Sequence, residues 1–263
     1  MASLTDMAVC EVTSLCKCCA GPSRLCGVVD FSRSCNDRPG AKVAPCAGVP
    51  VYYHRCEQCG FVFTRAFDGW SYDDFSAYIY NDDYVRHDPD YLGSRPAYNA
   101  EIVAGNFPDL SGKDILDYGS GLGLLEKNLK NRGFGSVDSY DPIAGGTARP
   151  DRRYDVVIAF EVFEHHPAPL ALIDEVAGFL RDDGVILFST TLVTEAVLNE
   201  GIERWWYCAP SNGHISFFTP QALARVGAPH GLTPASFTEG IHFFFRNRPP
   251  EWALRFSHQV WAA

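Results

Sequence analysis

A glycine-rich segment that contains Asp117, followed further along the chain by Asp141, has the composition of a small-molecule binding loop. Residues 114–123 (DILDYGSGLG) predict a strand that turns through Gly119, Gly121 and Gly123 into a helix. Glycine lets the backbone approach a ligand closely, and the first turn of a helix offers unpaired N–H groups. The segment therefore predicts a ligand site at the end of a strand.

The two carboxylates indicate which ligand this loop binds. A dinucleotide fingerprint, G-x-G-x-x-G, would need glycine or alanine at Leu124, and Asp117 would repel a pyrophosphate. Asp117 suits an ammonium group instead. Asp141 follows Gly121 by twenty residues, where a carboxylate accepts hydrogen bonds from ribose hydroxyls. A ligand with a ribose, an amino-acid end and no phosphate is S-adenosylmethionine.

Nine of the ten cysteines lie in the first 59 residues. Two C-x2-C pairs, Cys16/Cys19 and Cys56/Cys59, supply four thiolates for one tetrahedral structural zinc. We find no secretion signal at the N-terminus, so we expect a reducing cytoplasm, where clustered cysteines bind metal rather than form disulfides. Buried thiols without metal are the alternative. Alternative ligands are Cys18, Cys26, Cys35, Cys46 and His54.

Two adjacent histidines are candidates for acid–base chemistry. They end the run Glu161-Val-Phe-Glu164-His165-His166, which follows a predicted buried strand at the edge where ligands bind in such sheets. A histidine titrates near working pH. We expect His166 to transfer the proton and His165 to serve on the cofactor side or in structure, with His214 in reserve.

Two aromatic segments are candidates for closing the pocket. Tyr80-Asn-Asp-Asp-Tyr84 is a possible lid, with Tyr84 at the cofactor and Tyr80 at the substrate, because tyrosine faces attract a sulfonium cation. Packing alone is the alternative, and Arg95 could pair with Asp82 or Asp83 or with an anionic substrate. The further substrate-contact candidates lie after a later strand: Trp205, Trp206 and Tyr207.

Alternating strands and helices follow the glycine loop. Strands are predicted at 115–119, 136–142, 154–161, 184–190, 235–240 and 241–246, and helices at 123–133, 169–184 and 219–231. Such alternation predicts an α/β fold with a Rossmann-like, doubly wound, mostly parallel sheet. The predicted segments are a zinc-ribbon-like module (1–65), lid and linker helices (66–110), a cofactor-binding domain (111–248) and a tail (249–263).

The charge balance restricts the partners. The chain of 263 residues has 22 Lys plus Arg against 32 Asp plus Glu, a formal net charge of -10. An acidic chain is a poor match to nucleic acid. No apolar run is long enough to predict a membrane span. We expect a small-molecule partner, no nucleic acid and no membrane, and the sequence leaves the oligomeric state open.

The chain resembles the class I S-adenosylmethionine-dependent methyltransferases over about residues 75–248. DILDYGSGLG looks like the first motif of that family, YDP the second and YDVVIAFEVFEHHPAP the fourth. The resemblance implies Asp117, Gly119, Gly121 and Asp141 at the cofactor. It also implies Phe160 and Glu161 near the methionine end. Only twelve residues separate Asp141 from Tyr154, so the usual third strand and helix are shortened or missing.

The predicted function is methyl transfer to a polar small molecule. The N-terminal cysteine module resembles that of a branch which includes deoxysugar-modifying enzymes, so a sugar or nucleotide-sugar is a candidate acceptor. A non-catalytic scaffold that binds zinc and cofactor is an alternative, and a protein or nucleic-acid methyltransferase is another. Leu124 and Asp117 argue against a nicotinamide oxidoreductase.

Overall fold

The structure is a computed structural model that describes residues 12–143, 148–254 and 259–260. The strands are β1 (Thr13–Leu15), β2 (Pro22–Asp30), β3 (Pro50–Cys56), β4 (Val62–Thr64), β5 (Asp114–Tyr118), β6 (Ser136–Tyr140), β7 (Tyr154–Ala159), β8 (Leu180–Ser189), β9 (Ser216–Phe217), β10 (Thr233–Ser236), β11 (Ile241–Phe245) and β12 (Gln259–Val260). The helices are α1 (Tyr72–Tyr78), α2 (Tyr84–His87), α3 (Ser94–Asn106), α4 (Leu124–Lys130), α5 (Pro169–Gly178), α6 (Glu195–Glu200), α7 (Pro220–Gly227) and α8 (Glu251–Leu254).

The chain divides into two units, each made of three segments. The first unit consists of Met1–Pro89, Glu164–Leu170 and Thr191–Val226. The second consists of Asp90–Phe163, Ala171–Thr190 and Gly227–Ala263. The boundaries that we predict at residues 65, 110 and 248 do not coincide with these, because late segments of the chain return to the first unit.

A seven-stranded sheet forms the centre of the second unit, in the order β12-β10-β11-β8-β7-β5-β6. Strands β6, β5, β7 and β8 are parallel to one another, and β11, β10 and β12 extend the sheet from β8 with antiparallel pairs. Strand β7 carries four consecutive buried residues, Val156 to Ala159, as expected for a strand covered on both faces. The sheet confirms the predicted α/β class.

The part of the chain after β6 differs from that of a full doubly wound fold. Strand β6 is at the edge, and the described residues between β6 and β7 contain no helix or strand. This agrees with our prediction that the usual third strand and its helix are shortened or missing.

The helix before β8 is shorter than we predict. Our prediction of a helix to residue 184 is wrong: α5 ends at Gly178, and β8 begins at Leu180, which pairs with Tyr154. The exposed residues 181–183 form an irregularity in β8 that resembles a helix end in sequence.

A five-stranded antiparallel sheet, in the order β1-β2-β3-β4-β9, forms the first unit. Four of its strands come from the cysteine-rich N-terminal region, and β9 comes from residues 216–217. Phe217 of β9 is fully buried and stacks on Tyr53 of β3, with 5.5 Å between ring centroids. The aromatic segment after β8 is therefore part of the cysteine-rich unit. No helix among the described residues is long and apolar enough to cross a bilayer.

Candidate active site

The glycine loop joins β5 to α4 in the second unit, as predicted. Gly119, Gly121 and Gly123 all have positive φ, at 74°, 52° and 67°. A Cβ on Gly119 would lie 2.5 Å from Cγ2 of Val162, in the loop after β7. Only glycine combines that backbone conformation with such close packing.

Asp117 is buried within β5, directly before this loop. Its side chain is 3% exposed, and its Oδ2 has no hydrogen-bond partner among the described residues. Burial, reinforced by the negative charges of Glu126 and Asp141, raises the pKa of Asp117 to about 7. A buried acceptor without a donor is costly, so this oxygen is suited to a cationic or donor group of a ligand.

Asp141 follows β6 and is held by the loop itself. Its two oxygens accept the N–H groups of Gly121 and Ile143, each at 2.8 Å. Each carboxylate oxygen has two lone pairs, so hydroxyl donors can still reach both. Asp117 and Asp141 thus lie at the carboxyl ends of adjacent parallel strands, where ligands bind in such sheets.

Glu161 has a strained backbone at the end of the next strand. Its φ is +56°, uncommon for a residue other than glycine. Its N–H donates to Ser189 Oγ at 2.8 Å, and the Ser189 hydroxyl donates back to Glu161 Oε1 at 2.8 Å. Arg95 on α3 lies 3.6 Å from Glu161 Oε2. Strain of this kind marks functional sites. The neighbouring Phe160 is buried in the core of the second unit.

Five polar side chains of the first unit form what we call the histidine cluster: Tyr80, Glu164, His165, Tyr207 and His214. The Tyr80 hydroxyl lies 3.1 Å from His165 Nδ1, and the Tyr207 hydroxyl donates to Glu164 Oε1 at 2.6 Å. His165 Nε2 is 4.0 Å from Glu164 Oε1, and the two imidazole rings are 4.8 Å apart in an edge-to-face arrangement. The structure therefore brings together four candidate residues and Glu164, the carboxylate that precedes the histidine pair in the sequence.

A backbone carbonyl fixes the tautomer of His214. Nδ1 of this ring lies 2.9 Å from the carbonyl oxygen of Tyr207, which can only accept, so Nδ1 carries the proton. Nε2 of a neutral His214 then has a lone pair. Glu164, His165 and His214 offer ligand atoms within 4.8 Å of one another, so a divalent metal is an alternative use of these groups.

His166 and Tyr84 lie outside the histidine cluster. His166 Nδ1 accepts the N–H of Ala168 at 3.1 Å, a contact that orders the loop. Tyr84 is buried, and its hydroxyl lies 3.4 Å from the Asn212 carbonyl oxygen, within the first unit.

The two tryptophans of the aromatic segment differ from Tyr207 in environment. Trp206 is 56% exposed. Trp205 is half-buried and packs on Tyr207 and Phe217, each with 5.2 Å between ring centroids. Packing is therefore a sufficient role for Trp205.

The four predicted zinc ligands meet at one point. Cys16, Cys19, Cys56 and Cys59 place their Sγ atoms within 4.8 Å of one another, and we call them the cysteine cluster. Three of the separations are 3.6, 3.5 and 3.6 Å. A tetrahedral zinc with Zn–S bonds of 2.3 Å places its sulfurs about 3.8 Å apart. The 36 residues between the two pairs are looped out by the β2–β3 hairpin.

Backbone amides point at two of these sulfurs. Cys18 N–H donates to Cys16 Sγ at 3.3 Å, and the N–H groups of Gln58 and Cys59 donate to Cys56 Sγ at 3.3 and 3.5 Å. Such donors stabilise thiolates. The alternative ligands make other contacts: Cys26 with the Tyr53 carbonyl, Cys35 with His214, and Cys46 with Asp30. Burial raises the pKa of the Cys18 thiol well above its usual range.

Gly213 is a site residue that the sequence analysis did not identify. Its φ is +83°, and a Cβ there would lie 2.7 Å from the Tyr80 hydroxyl and 2.8 Å from His165 Nδ1. The glycine directly before a candidate histidine was the available signal.

Comparison with known proteins identifies the class. A family profile described as a methyltransferase domain matches residues 91–236, more than half of the chain. The chain belongs to this family, and together with the fold the match establishes a methyltransferase dependent on S-adenosylmethionine.

Individual curated relatives agree with this class, and the chain is also similar to solved structures. The ubiquinone biosynthesis O-methyltransferase of Aeromonas salmonicida (strain A449) is 28% identical over 166 residues, which are 51% of this chain and 68% of that protein. The protein of the same name from Nitrosomonas europaea is 31% identical over 172 residues, which are 51% and 68% of the two chains. The solved structure of CalO1, a methyltransferase in calicheamicin biosynthesis, has a TM-score of 0.45 and 11% identity. That comparison covers 68% of this chain and 61% of CalO1.

Proposed function

We propose that this enzyme transfers the methyl group of S-adenosylmethionine to a hydroxyl oxygen of a polar small molecule. The names of the relatives support oxygen as the acceptor atom. The observation that carries the proposal is the histidine cluster, because a hydroxyl acceptor must lose a proton as the methyl arrives.

The cofactor would be held by the glycine loop of the second unit. The buried Asp117 Oδ2 accepts no hydrogen bond from the part of the chain that the structure describes and fits the ammonium of the methionine end, while Asp141 fits the ribose hydroxyls. Arg95 and Glu161 form an ion pair at the end of β7, the strand beside β5. Phe160, directly before Glu161, is buried in the core. When bound, the cofactor supplies an electrophilic methyl on a sulfonium.

His165 is the base that we propose in place of His166. When His165 Nδ1–H donates to the Tyr80 oxygen, Nε2 has the lone pair that accepts the proton of the hydroxyl. The resulting imidazolium is stabilised by the Glu164 carboxylate, 4.0 Å from Nε2. Tyr207 holds that carboxylate in place through its hydroxyl. His166 makes a local loop contact instead.

The cysteine cluster would hold one structural zinc. Its sulfur separations are close to those of a tetrahedral site, and backbone amides already point at Cys16 and Cys56. Elemental analysis of protein purified without chelator should therefore find about one zinc per chain, lost in a Cys56→Ser variant. A second metal that persists in Cys56→Ser and is lost in His214→Ala would assign the histidine cluster to metal binding instead.

The acceptor remains open within the class of polar hydroxyl compounds, and sugars and nucleotide-sugars are among them. The acidic net charge of -10 makes nucleic acid the poorer candidate. A scaffold that binds cofactor without turnover would need no proton acceptor, and it would account for the histidine cluster only if the cluster binds metal.

The test is formation of S-adenosylhomocysteine with a panel of sugars, nucleotide-sugars and other hydroxyl compounds. With an active acceptor, His165→Ala should lower turnover roughly 10²–10⁴-fold, while His166→Ala stays near wild type. Calorimetry should show unchanged S-adenosylhomocysteine affinity in both variants. Turnover that survives His165→Ala but not His166→Ala would overturn this assignment, and binding without turnover on any acceptor would favour the scaffold.

A further inference from the structure

The side chain of Lys17 is a nearly buried cation inside the first cysteine pair. It lies between Cys16 and Cys19 in sequence and is 8% exposed. Its ammonium group donates to the Thr64 carbonyl at 2.7 Å, to the Pro167 carbonyl at 2.9 Å and to the Asp68 carboxylate. Lysine has three N–H donors, so these three acceptors use all of them.

The Pro167 carbonyl belongs to the loop that carries His165. Proline fixes its own φ, and it restricts His166 before it to extended conformations. The stretch from His165 to Pro167 is therefore a short, stiff link. A charged donor that fixes the carbonyl of Pro167 also restricts where the imidazole of His165 can lie.

The second cysteine pair reaches the same loop by another route. Thr219 Oγ1 donates to the carbonyl oxygen of Cys59 at 2.5 Å, just after strand β9. Within β9, Ser216 pairs with Phe63 of β4, and its hydroxyl donates to the carbonyl oxygen of His166 at 2.8 Å. Both halves of the cysteine cluster are thus connected to the backbone around the histidines.

We propose that Lys17 is a positioning residue that couples the cysteine cluster to His165 in the first unit. While a metal holds Cys16 and Cys19, the backbone of Lys17 is fixed and its ammonium holds Pro167. When the metal leaves, that anchor loosens, and His165 loses its alignment with Tyr80 and Glu164. The inference rests on the proposed role of His165 as the base.

The first experiment compares Lys17→Met with the full-length wild type. We expect about one zinc per chain and an unchanged dissociation constant for S-adenosylhomocysteine, because the glycine loop lies in the second unit. We expect kcat to fall roughly tenfold, a typical coupling for residues in one network, while the KM for cofactor stays constant. Arg24→Met is the matched control, because it removes an exposed ion pair with Glu57 near the second cysteine pair.

A double-mutant cycle with His165 separates positioning from general destabilisation. If Lys17 acts through His165, Lys17→Met should cost nothing further in a His165→Ala background. Chelator treatment should likewise lower the kcat of wild type but not that of His165→Ala. A purely structural role would give the same fold loss in both backgrounds, and that result would overturn the proposal.

A second variant covers the case in which Lys17→Met fails to fold. Lys17→Gln keeps a donor for one buried carbonyl but is too short and uncharged to serve all three acceptors, and it enters the same cycle. Wild-type kcat in a folded, zinc-loaded Lys17→Gln would overturn the proposal. Undiminished turnover in His165→Ala alone would instead refute the proposed base, so the two failures are distinguishable.

Discussion

The buried Asp117 carboxylate has a raised pKa, and we propose that it contacts the ammonium group of the cofactor. Its pKa of about 7 results mainly from burial, with added repulsion from Glu126 and Asp141. In the ligand-free protein near neutral pH, the group is therefore only partly ionised. A bound ammonium would favour the charged form and release the proton.

This linkage predicts a pH-dependent affinity. The amino group of the cofactor is protonated below about pH 8, so it stays cationic as the pH falls. Asp117 binds a proton below about pH 7, and this proton must leave on binding. The affinity for S-adenosylhomocysteine should therefore be highest near pH 8 and fall below pH 7, approaching about tenfold per pH unit. Calorimetry at several pH values measures this slope.

The Asp117→Asn variant tests the cause of that slope. An amide has no charge to offer, so affinity at pH 8 should fall by roughly 1.5–3 kcal/mol, and the slope should disappear. Asp138→Asn, on the exposed edge of β6 beside Arg152, is the control that should change neither. A slope that persists in Asp117→Asn would assign the titration to another group.

At this scale, the sequence predicts residue types better than it separates two neighbouring candidates such as His165 and His166. Asp117, the glycines and the four cysteines follow from local spacing, and the structure places them as that spacing requires. His165 and His166 cannot be distinguished by spacing, because their surroundings come from elsewhere. Tyr80, which contacts His165, is 85 residues away in the chain.

The two C-x2-C turns that carry the cysteine cluster share a backbone feature but differ in sequence. After its second cysteine, each turn has one residue with positive φ: Ala20 at 56° and Gly60 at 71°. A Cβ is strained in that region, whereas glycine is not. Ala20 therefore stores strain that Gly60 avoids.

Opposite substitutions in these two turns should have opposite effects on stability. Ala20→Gly should raise the free energy of unfolding by about 0.5–1 kcal/mol, while Gly60→Ala should lower it by about 1–3 kcal/mol. The larger second effect includes a contact, since the new Cβ would lie 2.9 Å from Thr219 Cγ2. Denaturant unfolding of zinc-loaded protein measures both. A destabilised Ala20→Gly would show that the turn is not strained.

The short turn before β9 sets the shape of the histidine cluster. Gly213→Ala would push against Tyr80 and His165, so we expect kcat to fall at least tenfold with little change in cofactor affinity. Gly48→Ala is the control, because Gly48 also has positive φ, at 71°, but has no neighbour within 4 Å of the new Cβ. Equal losses in the two variants would indicate backbone strain rather than contact with the cluster.

Helices and strands could be predicted where their sequence pattern lies within the element itself. The buried strands β7 and β8 follow from continuous apolar runs, β5 from a short apolar stretch before the glycine loop, and α7 from its spacing and Pro220. Strand β9 was missed because two residues carry no pattern. It exists because Phe63 and Val62 of β4 offer a strand partner and Phe217 fills a buried position beside Tyr53. Only long-range pairing specifies such a strand.

At the scale of the whole molecule, neither of the two units is a continuous stretch of the chain. The chain passes from one unit to the other five times, after Pro89, Phe163, Leu170, Thr190 and Val226. Sequence composition changes near residue 65, where the cysteines end, which suggested a separate N-terminal module. The composition could not show that residues 191–226 complete the same unit, because these residues are aromatic rather than cysteine-rich.

This organisation predicts that cutting the chain at residue 65 leaves no properly folded C-terminal piece. A chain of residues 66–263 lacks β1 to β4, so β9 has no partner and the buried ring of Phe217 loses Tyr53. Expressed alone, it should aggregate or bind a hydrophobic dye, since it exposes a large apolar surface. Expressed together with residues 1–65, it should become soluble and carry the zinc-bound fragment through purification. The seven-stranded sheet lies wholly within residues 66–263. If misfolding of the first unit abolishes S-adenosylhomocysteine binding by the 66–263 chain, co-expression should therefore restore it. A monodisperse 66–263 chain without exposed apolar surface would show that the N-terminal 65 residues are an independent domain after all.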